Sequence, residues 1–264
     1  MKILNFLFSR SKQEQDKPIR DKLKTRKDFE RVLAEDLDIM ETTKARMDTA
    51  KNINLYMYRS LSYSYILILQ SKYSVDAKID ELRDIYIKSM HYFLQAFNKR
   101  NPIYADILNY VSLGVLLNIP DDNFRQLIDY VKQMDKQAKP SGWTPDLLLW
   151  FMLNSRMKEQ EKQKYAETLA YPRLYNGLYK VIQAPNAAAA KDALSKYLDR
   201  WYNLNSNAPW YNCHLKDNSY RGYWAWEVAA VAKIMHIDDS DLKNNQYYPY
   251  DMVHWADNET TAKE

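Results

Sequence analysis

Four glycines in 264 residues constrain this chain more than any other feature. Glycine supplies the positive-φ turns and close backbone approaches that α/β folds and phosphate-cradling loops use repeatedly, so a chain this poor in it leans toward helices. The hydrophobic share of 46% is enough to fill the core of one large domain or two small ones. The 22 tyrosines and 7 tryptophans bring apolar faces with polar tips, which suit helix packing, protein interfaces and base stacking alike.

Helical period is legible along much of the chain. Phe29, Leu33, Leu37 and Met40 recur at steps of three and four among charged residues, and Ile79, Leu82, Tyr86, Met90, Phe93 and Phe97 repeat the pattern until Pro102 disfavours its continuation. Between them, the apolar block Tyr63, Tyr65, Ile66, Leu67, Ile68 and Leu69 lies in a stretch whose length and neighbours favour a buried helix over a strand. A further helix is expected from Ile103 to Asn118, closed by Pro120, and Asp121 and Asp122 can cap the next one through Phe124, Leu127 and Val131. Beyond it we expect helices over Asp146–Met157 and Gln160–Ile182, a stripe of Leu194, Tyr197, Leu198 and Trp201, a polar and aromatic loop at 203–218, and a helix over Tyr220–His236.

Two prolines and a glycine within Lys139–Pro145 mark a boundary. The expected organisation is an all-α helical bundle of two packed domains or halves. It comprises an arm at 1–18, an N-terminal helical domain at 19–138, a linker at 139–145, a C-terminal helical domain at 146–256 and a tail at 257–264. A faint echo relates the halves: Leu116–Phe124 aligns with Ile234–Leu242, pairing Ile119 with Ile237, Asp121 with Asp239 and Phe124 with Leu242, and shared helix punctuation explains it as well as repetition does.

Charge and cysteine content narrow the function. The net charge of +4 arises in residues 1–31, which carry 10 Lys or Arg against 5 Asp or Glu, while the remainder nets −1 and residues 217–264 net −5. A phosphate-binding protein concentrates its cations on the folded surface, so no direct nucleic-acid partner is expected; a binder using the basic N-terminal region stays as an alternative. The lone Cys213 excludes an internal disulfide and fits a reducing, cytoplasmic setting. The apolar start, Ile3 to Phe8, is too short to span a membrane or act as a secretory signal, so no membrane partner is expected.

Motifs for catalysis are absent: no phosphate loop, dinucleotide fingerprint or nucleophile elbow occurs. Cys213, His214, His236, Asp251 and His254 show no metal-ligand spacing, so neither metal nor cofactor is expected, and adjacency keeps Cys213 and His214 from converging as a nucleophile and base. Glu227 is the only charge between Gly222 and Lys233. It reads either as an acid tuned by burial or as a structural acceptor for Tyr and Trp tips, and the missing enzyme motifs favour the second; a hydrolase-like enzyme using Glu227 and His214 is the other alternative. Finally Asp238, Asp239, Asp241, Tyr247, Tyr248 and Asp251 read as a capped turn with packed rings, or as an acidic and aromatic surface for a basic partner.

In these residues the chain resembles the PoNi immunity family. The resemblance is carried by Trp201; Trp210, Tyr211 and His214; Tyr220, Gly222, Tyr223, Trp224 and Glu227; Asp238, Asp239 and Leu242; and Tyr247, Tyr248, Pro249, Tyr250 and Asp251. It is looser over 20–135. It implies a helical protein, without catalysis or cofactor, that binds and neutralises a cognate polymorphic toxin, commonly a DNase, by occluding it. On that reading Trp201, Trp210, His214, Tyr220, Gly222, Tyr223, Trp224, Glu227 and Pro249 are structural. The toxin-facing residues are then Asp238, Asp239, Asp241, Tyr247, Tyr248 and Asp251, with the turn at Asp121 and Asp122 as a second candidate.

Overall fold

The computed structural model describes residues 18–97, 103–136, 143–216 and 219–255. Among them lie ten α-helices, three short 3-10 turns and no strand. The chain divides into two compact units. Among the described residues, the first holds 18–97, 212–216 and 219–223, and the second holds 103–136, 143–211 and 224–255. Most of the expected linker at 139–145, nearly all of the expected arm at 1–18 and the expected tail at 257–264 lie outside the described residues.

The first unit is built on α1 (Arg26–Thr49), α2 (Leu55–Ser74) and α3 (Ile79–Phe97). α1 opens on a capping box: Asp28 N–H donates to the Thr25 hydroxyl and Thr25 N–H to the Asp28 carboxylate, satisfying two donors that the helix leaves without partners. Asn54 caps α2 by accepting from Met57 N–H. The predicted stripes face inward: Phe29, Leu33 and Met40 of α1, Leu61, Tyr65 and Ile68 of α2, and Leu82, Tyr86, Met90 and Phe93 of α3 are all buried. α2 packs against both neighbours, which settles its dense apolar block as helix.

The second unit comprises α4 (Tyr104–Leu116), α5 (Asp121–Lys136), α6 (Leu147–Asn154), α7 (Pro172–Ile182), α8 (Ala187–Leu204), α9 (Trp226–Met235) and α10 (Tyr250–His254). Its interior includes Phe124, Leu127, Val131, Leu194, Tyr197, Leu198 and Trp201, as their spacing predicts. Two expected helices are shorter. The one foreseen over 160–182 becomes a 3-10 turn at Glu159–Glu161, an irregular stretch, and then α7 from Pro172. The irregular backbone is held instead by Asp146, whose carboxylate accepts from Ala170 N–H (2.7 Å), while Leu147 N–H donates to Thr168 O (2.9 Å). The helix foreseen from Tyr220 begins only at Trp226, because Tyr220–Tyr223 belong to the first unit.

Glycine scarcity shows at the helix ends. α2, α4 and α9 all finish in Schellman motifs, and the left-handed position is taken by Asp76 (φ 77°), Asn118 (φ 43°) and His236 (φ 51°) instead of glycine. In each, the next amide reaches back five residues: Ala77 to Lys72 O, Ile119 to Gly114 O and Ile237 to Ala232 O. The sequence echo between the halves is thus the same helix stop used twice. Glycine is kept where nothing else fits. A Cβ on Gly177 of α7 would lie 2.5 Å from the Tyr197 ring of α8.

Candidate functional site

α4 and α9 pack together, and their ends are tied: Leu116 O, at the end of α4, accepts from Lys233 Nζ in the last turn of α9 (3.3 Å) and from Trp255 Nε1 (2.8 Å). The helices therefore stop at the same end of the second unit, and the turns that follow bring Asp121 and Asp122 to the same end as Asp238 and Asp241. Asp121, Asp122, Asp238 and Asp241 are exposed. Cations partly balance them. Arg156 pairs with Asp121 and donates to Ile119 O, and Lys191 bridges Asp238 (2.7 Å) and Asp241 (2.8 Å). These contacts hold the carboxyls of Asp121 and Asp238 below their ordinary range and raise the Lys191 pKa to about 12.

Two residues expected on that surface are instead inside. Asp239 and Tyr248 are each 2% exposed, with the Tyr248 hydroxyl donating to Asp239 (2.7 Å) and His254 Nε2 lying 2.8 Å from its other oxygen. A carboxylate with two such partners is retained in the interior, where it anchors α10. Tyr247 lies elsewhere. Ala225 N–H donates to its carbonyl, which places it beside the start of α9, about 15 Å along that helix from the Asp238 turn. Its half-buried ring stacks on Tyr202 (5.2 Å) and meets Trp201 at 5.5 Å. Asp251 is half-buried in the first turn of α10.

Glu227 is 6% exposed and accepts from Trp201 Nε1 (2.6 Å), joining α9 to α8. Burial pushes its pKa up to about 7, since the hydrogen bonds from Trp201 and its own backbone amide only partly offset lost hydration. The structural reading of Glu227 accounts for these contacts, and His214, its partner in the enzyme alternative, belongs to the first unit, where its Nδ1 lies 3.0 Å from the Tyr223 hydroxyl. Among the described residues no group of His, Cys, Asp and Glu is placed to hold a metal ion. No described helix is long and apolar enough to cross a membrane.

The remaining motif residues divide between the units. Trp201 and Trp210 stack at 5.4 Å, and Trp224 lies 6.2 Å from Trp226, in the second; Pro249 directly precedes α10. Tyr220, Gly222 and Tyr223 lie in the first, where the Tyr220 hydroxyl donates to Asp21, Gln70 Nε2 donates to Gly222 O (2.7 Å), and Arg221 forms two bonds to Asp36 (2.7 and 2.8 Å). Sequence reasoning missed Asp21, Asp36 and Asp146. Asp36 had a signal: it interrupts the apolar stripe seven residues after Phe29, where a carboxylate calls for a buried partner. Asp146 caps α6 through Leu149 N–H and accepts from the Tyr104 hydroxyl (2.7 Å).

The described residues define an all-helical protein of two compact units. Two family models match the chain: the N-terminal domain of PoNe immunity proteins (PoNi) over residues 11–129 and the C-terminal domain over 144–252. The chain belongs to the PoNi family of PoNe immunity proteins. A crystal structure of protein PA2201 from Pseudomonas aeruginosa shares the fold, with a TM-score of 0.71 at 18% identity over 97% of this chain and 95% of that one. A search of curated proteins finds no match.

Proposed function

We propose that this protein acts in the cytoplasm to bind a cognate PoNe-type nuclease toxin and occlude its substrate path, without catalysis or cofactor of its own. Family membership over both halves supports the immunity role. The observation that carries the binding mode is the meeting of two acidic turns, Asp121–Asp122 and Asp238–Asp241, at one end of the second unit, marked by the shared contacts to Leu116 O. A nuclease presents Lys and Arg to hold phosphate, so exposed carboxylates backed by the negative ends of α4 and α9 favour rapid, oriented encounter. Exposed ion pairs add little affinity, which leaves tight binding to aromatic anchors such as Tyr247. Its distance from the acidic turns is within one interface of about 800 Å² per partner.

The test is a nuclease assay with the toxin domain encoded beside this protein, joined to co-purification. The expected result is a stable complex and stoichiometric loss of nuclease activity, with no DNA cleavage by the protein alone. Absence of a complex, or salt-dependent binding of plain DNA by the isolated protein, would contradict the reading.

A further inference from the structure

The first unit is discontinuous in sequence. Its three helices are complete by Phe97, yet polar groups on α1, on α2 and in the turn before α1 bond to the later residues 220–222. Asp21 takes the Tyr220 hydroxyl, Asp36 takes Nε and Nη2 of Arg221, Ser74 Oγ donates to Arg221 O (2.8 Å), and Gln70 Nε2 donates to Gly222 O (2.7 Å). These partners are 147 to 199 residues apart in the chain. The Tyr220 ring lies 5.7 Å from Phe29. Asp36 and Arg221 are 2% and 8% exposed, so the pair is sealed from water.

The segment is shaped for this place. Gly222 has φ 108°, which a side chain would strain, and the turn it makes lets Arg221 point at α1 while the carbonyls of Arg221 and Gly222 face α2. Behind it, the Tyr223 hydroxyl accepts from His214 N–H (3.0 Å) and so braces the segment on itself.

We propose that Ser219–Tyr223 is a strap that locks the first unit, so that α1 and α2 reach their native protection only once this late segment has inserted. The strap makes the stability of the first unit depend on residues read as part of the C-terminal domain. Removing Arg221 leaves the Asp36 carboxylate buried without its cation, which should open the face of α1 and α2 locally.

Hydrogen exchange of the full chain tests this. In Arg221→Met, amides of Arg26–Thr49 and of the second half of Leu55–Ser74 are expected to exchange about a hundredfold faster or more, while α4 and α9 keep wild-type protection. Gly222→Ala, a milder change at the same turn, should move the same peptides by about tenfold through backbone strain. If Arg221→Met yields no folded protein, Gly222→Ala decides. Unchanged exchange in α1 and α2 of a folded variant, or equal loss across both units, would overturn the strap.

Discussion

Asp36 of the first unit and Glu227 and Asp146 of the second are kept inside by different means, while Asp21 of the first, which accepts from the Tyr220 hydroxyl and two backbone amides, is held like the latter two. In the first, Asp36 faces a guanidinium that forms two charge-assisted bonds, so the interior holds a complete ion pair. In the second, Glu227 and Asp146 face only neutral donors: an indole, a phenol and backbone amides. A buried carboxyl that loses its cation must stay charged without hydration or take up a proton at a cost, whereas one that loses a neutral donor gives up only a hydrogen bond. Defects at the Asp36–Arg221 pair should therefore be large, and those at Glu227 moderate and dependent on pH.

The largest expected effect is that of Arg221→Met, about 3 to 5 kcal/mol of unfolding free energy in a urea titration. The double variant Asp36→Leu with Arg221→Met should regain much of it, since an apolar pair leaves no stranded charge. A cost below about 1 kcal/mol for the single variant would put the comparison aside.

Next is the pH response of Glu227. Its folded pKa, about 7, lies above the ordinary 4.5, so the folded state binds the proton more tightly. The resulting stabilisation is present in full below about pH 4.5 and is lost as pH rises through about 7, a change of about 3 kcal/mol. Glu227→Gln should flatten this part of the stability profile and be at least as stable as wild type at pH 8. An unchanged slope would assign the pH response to other groups.

Smaller again is Trp201→Phe, which removes the indole donor but keeps most of the packing. It should cost about 1 to 3 kcal/mol at pH 8 and less at pH 5, where the neutral carboxyl tolerates its absence better. Equal costs at both values would mean that the ring, not the N–H, is what matters. Least of all, Lys191→Ala should leave the melting temperature unchanged, because its partners Asp238 and Asp241 stand in solvent.

How much of this is legible in the sequence depends on distance along the chain. The stripes of α1 and α3 and that of α8 are local, so their buried faces follow from spacing alone. The burial of Glu227 follows from the apolar residues on either side of it. Asp239 and Tyr248 do not follow, since an aspartate in a turn reads as exposed and its partners come from residues 9 and 15 positions on. The strap is harder still: the Tyr220–Tyr223 motif is visible, but its docking onto α1 and α2 rests on pairings across more than half the chain. The meeting of the two acidic turns needs the parallel packing of α4 and α9, which the echo suggests only as shared punctuation.

On the proposed function, the buried motif residues make the fold while the exposed acidic turns meet the toxin. Surface plasmon resonance against the cognate toxin domain tests this most directly, using variants whose melting curves match wild type. Asp238→Lys with Asp241→Lys is expected to slow association, increasingly so as salt is lowered, whereas Glu227→Gln is expected to bind with wild-type rates. Unchanged association in the folded double variant, together with lost binding in a stable Glu227→Gln, would contradict it.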